Sequence, residues 1–267
     1  MISRLARILL VFLLALPVAA RAETRALVVA ASYAGSGNPA LALANTAVDG
    51  RNVAAALTRA GLRDVRLIED PDLARWETEL EAFAARLAPG DVALLYYAGH
   101  AIQVSGRNYF LAGDGTSLID MERMIPRLSD RARGVFLVID ACRNNPFQRG
   151  DSPDVVAAAR ALPTVSVAEL TAAHRGLSQL GDLRGLSVLA LFSTDPGNVA
   201  LDGEPGSGSP FANAFAAELG RRQSLDALVR RVALRVNRET GGEQTPWRQG
   251  DLPFDVYLAG MQSFPVP

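Results

Sequence analysis

The sequence predicts an α/β sandwich, in which helices cover both faces of a mostly parallel central β-sheet. Runs of apolar residues bounded by turn residues recur along the chain, and stretches with helical periodicity lie between them. The runs are almost continuously apolar rather than alternating, which is typical of strands buried on both faces of a parallel sheet. Strands of this kind that alternate with helices indicate an α/β fold.

The individual elements follow from the same patterns. Strands are predicted at residues 26–31, 65–68, 92–97, 135–139 and 186–192. Helices are predicted where apolar residues recur every three or four positions, at residues 47–60, 73–87 and 225–236. Another helix is expected to begin after Ser209, because a serine cap followed by Pro210 is a common helix start. No repeat or linker divides residues 23–267, which are predicted to form one domain with an insertion or linker at 149–175.

The composition excludes several classes of protein. All 27 basic residues are arginine, so enzymes that need a lysine amine, such as pyridoxal-phosphate enzymes and Walker-A nucleotide-binding proteins, are excluded. A single cysteine and two histidines supply neither a disulfide nor a common zinc site. We expect no cofactor and no metal.

Residues 1–22 have the features of a signal peptide. Arg4 and Arg7 precede a short apolar core, and the stretch ends in a small-x-small cleavage site before residue 23. The apolar run is short for about 30 Å of hydrocarbon, so cleavage is favoured over a membrane anchor. We therefore expect a periplasmic or secreted protein without a stable membrane anchor. Without the leader, 24 basic and 28 acidic residues give a charge of −4, which argues against general nucleic-acid binding.

Two reactive side chains follow predicted strands. His100 comes shortly after the strand at 92–97, and Cys142 comes shortly after the strand at 135–139. If these strands are neighbours, the imidazole and the thiol share the carboxyl edge of the sheet, where ligands bind in open α/β folds. A thiol beside a base is suited to acyl transfer through a thioester, with Cys142 as nucleophile and His100 as general base. The alternative readings are a buried inert cysteine and a solvated histidine, and His174 is the rival base.

The segments around these residues resemble a known family. Residues 96–100 (YYAGH) and 140–147 (DACRNNPF) are similar to the two signature segments of bacterial caspase-like, metacaspase-related cysteine peptidases. Further similar segments extend over nearly all of residues 25–260. The resemblance implies a caspase-like three-layer sandwich and a protein or peptide substrate.

The family resemblance also implies roles for individual residues. His100 and Cys142 would be the catalytic dyad, and the amides of Ala101 and Cys142 would hold the oxyanion. Arginine or lysine before the cut bond would be bound by the carboxylates of Asp49 and Asp140. The alternatives are that Asp49 caps its helix and that Asp140 bonds loop amides.

The sequence departs from the family pattern in one position that bears on catalysis. Ala101 stands where the family has glycine, and alanine would strain the backbone if that position required a positive φ.

The leader, the two reactive residues and the family resemblance together predict an exported cysteine endopeptidase. The alternative is a catalytically idle binding or scaffold module of the same fold. The segment at 149–175 is a candidate for self-cleavage, and nothing in the pattern specifies an oligomeric state.

Overall fold

The computed structural model describes residues 22–104, 107–142, 180–181, 183, 185–196, 198 and 200–259, with the side chains of Val104 and Cys142 outside this description. The predicted leader (1–22, apart from Ala22), the insertion at 149–175 with its self-cleavage sites, and His174 lie outside the described residues.

The described chain alternates strands and helices. The strands are β1 Thr24–Ala30, β2 Val65–Glu69, β3 Val92–Val104, β4 Arg107–Leu111, β5 Leu118–Asp120, β6 Gly134–Cys142, β7 Val188–Phe192 and β8 Trp247–Asp251. The helices are α1 Thr46–Arg59, α2 Leu73–Arg86, α3 Met121–Ser129, α4 Pro210–Leu219 and α5 Leu225–Glu239, with a short 3₁₀ helix at Pro39–Leu41.

One central sheet organises the molecule. Its strand order is β2-β1-β3-β6-β7-β8, and every pair along this order is parallel except β7 with β8. Beyond the parallel region, β3 continues and pairs antiparallel with β4. Strand β4 in turn pairs antiparallel with β5. The predicted mostly parallel sheet is confirmed.

Helices cover both faces of this sheet. Side chains of α2 and α3 pack in one apolar cluster, and those of α1, α4 and α5 pack in another. Strand β3 serves both, because Leu95 and Tyr97 belong to the first cluster while Leu94 and Tyr96 belong to the second. The α/β sandwich with helices on both faces is therefore confirmed, and the alternation along β3 is that of a strand buried on both sides.

Two local predictions have different outcomes. The helix start at Ser209 is confirmed, since its Oγ accepts a hydrogen bond from the N–H of Ala212 at 2.9 Å and Pro210 is the first helical residue. The prediction that the third strand ends near residue 97 is wrong. Strand β3 continues to Val104, because residues 101–104 pair with β4.

Candidate active site

The carboxyl ends of β3 and β6 bring the two predicted catalytic positions together in the sheet. These strands are parallel neighbours, and their register pairs His100 with Cys142. Both residues lie within these strands, whereas the sequence predicted that they follow the strands. The side chain of Cys142 lies outside the described residues, so a contact between thiol and imidazole stays a prediction.

The two nitrogens of the His100 imidazole have different surroundings. Its Nε2 lies 3.0 Å from the carbonyl oxygen of Leu41, in the segment between β1 and α1. A carbonyl only accepts, so Nε2 carries the proton of the neutral ring and Nδ1 keeps its lone pair. Nδ1 is buried and has no hydrogen-bond partner among the described atoms. Burial lowers the pKa of His100, opposed in part by the Leu41 carbonyl. The ring is therefore a neutral base at neutral pH.

Ala101 does not carry the strain that its replacement of glycine suggested. It lies within β3 and pairs with Phe110 of β4. Among the described non-glycine residues, only Tyr33 and Asp70 have positive φ angles. The condition under which alanine would strain this backbone is therefore not met.

A small pocket opens beside the histidine, and three carboxylates line it. Asp49 comes from the first turn of α1, Asp140 lies two residues before Cys142 on β6, and Asp202 lies in the segment between β7 and α4. The pocket is completed by Leu43, Thr46, Gly99, Ala200, Leu201 and Ser209. Since Gly99 directly precedes His100, the acidic pocket adjoins the predicted catalytic edge.

Ser209 connects two of these acids. Its main-chain N–H donates to Oδ1 of Asp49 at 2.8 Å, and its hydroxyl donates to Oδ2 of Asp140 at 2.7 Å. The hydroxyl of Tyr96 also donates to Oδ2 of Asp140, at 3.3 Å. Asp49 thus bonds the amide before α4 rather than capping its own helix, and the described donors to Asp140 are hydroxyls rather than loop amides.

The electrostatics of the pocket favour a positively charged ligand. Burial, together with the charge of Asp140, raises the pKa of Asp49 to about 8. Burial also raises the pKa of Asp140 to about 6, although hydrogen bonds from Ser209 and Tyr96 oppose the rise. The pKa of Asp202 is raised by burial as well. Among the described residues, no arginine contributes to any of these shifts. A cation entering the pocket would meet carboxylates that have no arginine counter-ion in the part of the chain that the structure describes.

Asp202 and Ser209 were not recognised from the sequence as residues of the site. Residues 201–209 read as a turn-rich loop, and nothing in the loop pattern connects it with α1 or β6. The connection is made by Asn45, whose buried amide donates to the carbonyls of Asp202 and Glu204 and accepts from the N–H of Gly206. The sequence signal for these two residues is that one loop holds both an aspartate and a serine that starts a helix.

The fold and this site together define an α/β sandwich with a histidine and a cysteine at the carboxyl edge of its sheet. The caspase-domain family model matches residues 23–257, and the chain belongs to that family. The crystal structure of protein GSU0716 from Geobacter sulfurreducens is similar in fold, with a TM-score of 0.63, 17% identity, and coverage of 86% of this chain and 94% of that one. Among curated proteins, no match was found.

Family membership supports a hydrolase of the cysteine peptidase type, which acts on peptide substrates. In the part of the chain that the structure describes, no helix is long and apolar enough to cross a membrane. In the same part, no group of three or more His, Cys, Asp or Glu side chains is arranged to hold a metal ion.

Proposed function

We propose that the chain is an exported cysteine endopeptidase that cleaves after arginine or lysine, with His100 and Cys142 as its catalytic dyad. The observation that carries this proposal is the register of β3 and β6, which pairs these two residues beside the acidic pocket. In this proposal, a general base, a nucleophile and a cation-binding pocket act together at one edge of the sheet.

The mechanism follows from the protonation state of the histidine. Nδ1 of the neutral imidazole takes the thiol proton of Cys142, and the sulfur attacks the carbonyl carbon of the scissile bond. The main-chain N–H groups of Ala101 and Cys142 stabilise the resulting oxyanion. The imidazolium returns its proton to the leaving amine, which departs and leaves a thioester. Water, deprotonated by the same imidazole, hydrolyses the thioester and restores the thiol.

The pocket supplies the specificity in this proposal. Arginine presents a planar guanidinium that can bond two carboxylates at once, while lysine presents a single ammonium. Asp49 and Asp140 are the proposed ligands of this charge, and Asp202 adds a third carboxylate to the same pocket. Binding of the substrate cation favours the ionised form of these carboxylates.

Fluorogenic peptides that differ only in the residue before the cut bond test the proposal. Peptides with arginine or lysine should be cleaved, whereas a peptide with citrulline, which has nearly the shape of arginine but no charge, should not. The Cys142→Ala variant should have no activity. Cleavage of all three peptides would overturn the specificity, and activity retained in Cys142→Ala would overturn the dyad. Stoichiometric binding of the arginine peptide without turnover would instead favour the idle binding module.

Export is tested separately. Expression of the full chain in a Gram-negative bacterium, followed by N-terminal sequencing of the periplasmic fraction, should give a mature protein that begins at Glu23. A full-length protein that stays in the cytoplasm would contradict the leader assignment.

A further inference from the structure

We propose that Tyr33 is a positioning residue for His100: its hydroxyl holds the backbone of the histidine, and its ring covers the imidazole. This inference rests on the proposed function, in which His100 is the general base. Tyr33 lies shortly after the end of β1, the strand that neighbours β3 in the sheet. Its side chain is fully buried.

The first observation is a pair of buried hydroxyls at the backbone of His100. Oη of Tyr33 accepts a hydrogen bond from the N–H of His100 at 2.8 Å, and Oη of Tyr97 donates to its carbonyl oxygen at 2.6 Å. The two hydroxyls are 3.0 Å apart, and both lie within hydrogen-bonding distance of the carbonyl of Leu111. The backbone on both sides of the histidine Cα is therefore held by the hydroxyls of two buried side chains, where hydrogen bonds are stronger than in water.

The second observation concerns the imidazole itself. The ring of Tyr33 stacks on it with a centroid distance of 4.8 Å and an interplanar angle of 25°. Together with the Leu41 carbonyl at Nε2, the stack restricts rotation of the imidazole. Because general-base catalysis depends on the proton acceptor lying within hydrogen-bond reach of the nucleophile, fixing this ring matters for the rate.

The third observation is that Tyr33 is itself held in an unusual conformation. Its φ angle is 60°, which is uncommon for a bulky residue and persists only where the surroundings enforce it. Asp70, directly after β2, supplies this restraint. Its Oδ1 accepts from the N–H groups of Ser32 and Tyr33 at 2.6 and 2.9 Å, and its Oδ2 accepts from the hydroxyl of Ser32 at 2.6 Å.

Gly99 completes the arrangement. A Cβ atom at this position would lie 2.5 Å from the Tyr97 hydroxyl and 2.8 Å from the Tyr33 hydroxyl, closer than real Cβ contacts. Glycine before the histidine thus leaves room for both hydroxyls to reach the backbone of His100. The contacts form a continuous line from Asp70 through Tyr33 to His100.

The test separates positioning from substrate binding and from folding. Tyr33→Phe keeps the ring and removes the hydroxyl, and it should lower kcat about 10- to 100-fold while KM stays within about twofold. The matched control is Tyr109→Phe, which removes the hydroxyl of another buried tyrosine, on β4, and should leave both constants within about twofold of wild type. Activities are compared per folded molecule, measured by circular dichroism.

Asp70→Asn is the second variant, because asparagine tolerates the positive φ angle at this position and keeps one acceptor oxygen. This variant should also lower kcat, but by a smaller factor than Tyr33→Phe does. The positioning role is overturned if folded Tyr33→Phe, or folded Asp70→Asn where the first variant does not fold, keeps wild-type kcat. It is equally overturned if the loss lies in KM alone.

Alkylation of Cys142 by iodoacetamide distinguishes failure of this inference from failure of the proposed function. Wild type should react at least about tenfold faster than His100→Ala, and Tyr33→Phe should fall between them. Equal rates in wild type and His100→Ala would overturn the dyad, and the positioning role with it. A rate that depends on His100 but is unchanged in Tyr33→Phe would overturn the positioning role alone.

Discussion

Asp49 and Asp140 share one hydrogen-bonding residue, Ser209, whose main-chain N–H bonds the first carboxylate and whose hydroxyl bonds the second. The helix α1, the strand β6 and the start of α4 are thereby joined at the acidic pocket. The serine also caps α4, so the helix start and the link between the two acids depend on the same residue. Several properties of the protein should follow from this pair of buried carboxylates.

The first prediction is that binding of arginine substrates improves as the pH rises from 6 to 8. The pKa of Asp49 is raised to about 8, so below that pH this carboxyl is neutral and attracts the substrate cation less. The guanidinium stays charged over the whole range. We expect KM to fall about tenfold between pH 6 and pH 8, measured with a fluorogenic arginine peptide.

Asp49→Asn provides the control for this pH dependence. Its KM should be higher at pH 8 and nearly independent of pH, whereas ionisation of the catalytic dyad would still change kcat. A wild-type KM that is flat over this range, or a slope that survives in Asp49→Asn, would contradict the assignment of the titration to this carboxyl.

The second prediction concerns stability. A carboxyl whose folded-state pKa lies above its unfolded value binds more protons when folded, so stability falls as pH rises through that interval. For Asp49 the interval runs from about 4 to about 8. Asp49→Asn should therefore be more stable than wild type at pH 8, by about 1 kcal/mol or more, and the difference should shrink towards pH 5. Urea unfolding at the two pH values measures it.

The parallel core of the sheet could be predicted from the sequence, and the physical reason is the apolarity of its strands. Strands such as β1 and β7 are buried on both faces, so their composition alone reveals them. Strand β8 was missed, because it lies at the edge of the sheet and its sequence WRQGD is polar and mostly exposed. Helix α3 was missed because it is short and contains Pro126.

The patterns of the sequence predicted site residues where these are attached to buried strands, whereas Asp49 on α1 was named only through the family resemblance. His100 and Cys142 were predicted to share one edge of the sheet because β3 and β6 were recognised and neighbouring strands are often consecutive. Asp202 and Tyr33 were not found, since each lies outside the regular elements. Their positions depend on long-range bonds, to Asn45 and to Asp70, which leave no periodic pattern in the sequence.

The third prediction is a depressed pKa for His100, which its burial implies. The chain has only two histidines, so the imidazole signals in a proton NMR titration are simple to assign by comparison with His100→Ala. In a Cys142→Ala background, which removes any influence of the thiol, the His100 signal should titrate below 6.5. A midpoint at or above 6.5 would mean that the imidazole is solvated or faces a negative charge.

The fourth prediction is that Asn45 controls substrate affinity through the segment that carries Asp202. Its fully buried amide donates to the carbonyls of Asp202 and Glu204 at 2.7 and 2.9 Å and accepts from the N–H of Gly206 at 2.7 Å. Asn45→Ala leaves these main-chain groups without their partner, which should lower the free energy of unfolding by about 2–3 kcal/mol. The freed segment no longer holds the third carboxylate in the pocket, so KM for an arginine peptide should rise more than kcat falls.

The matched control for Asn45→Ala is Asn213→Ala. Asn213 is exposed and donates to the carbonyl of Ser207 in the same segment, at 2.9 Å. Water can replace an exposed hydrogen bond, so this variant should lose less than about 1 kcal/mol and keep its KM. Urea unfolding and peptide kinetics on both variants decide the matter. Equal losses in the two would show that the segment is held as a whole by many weak contacts, and not by the buried amide of Asn45.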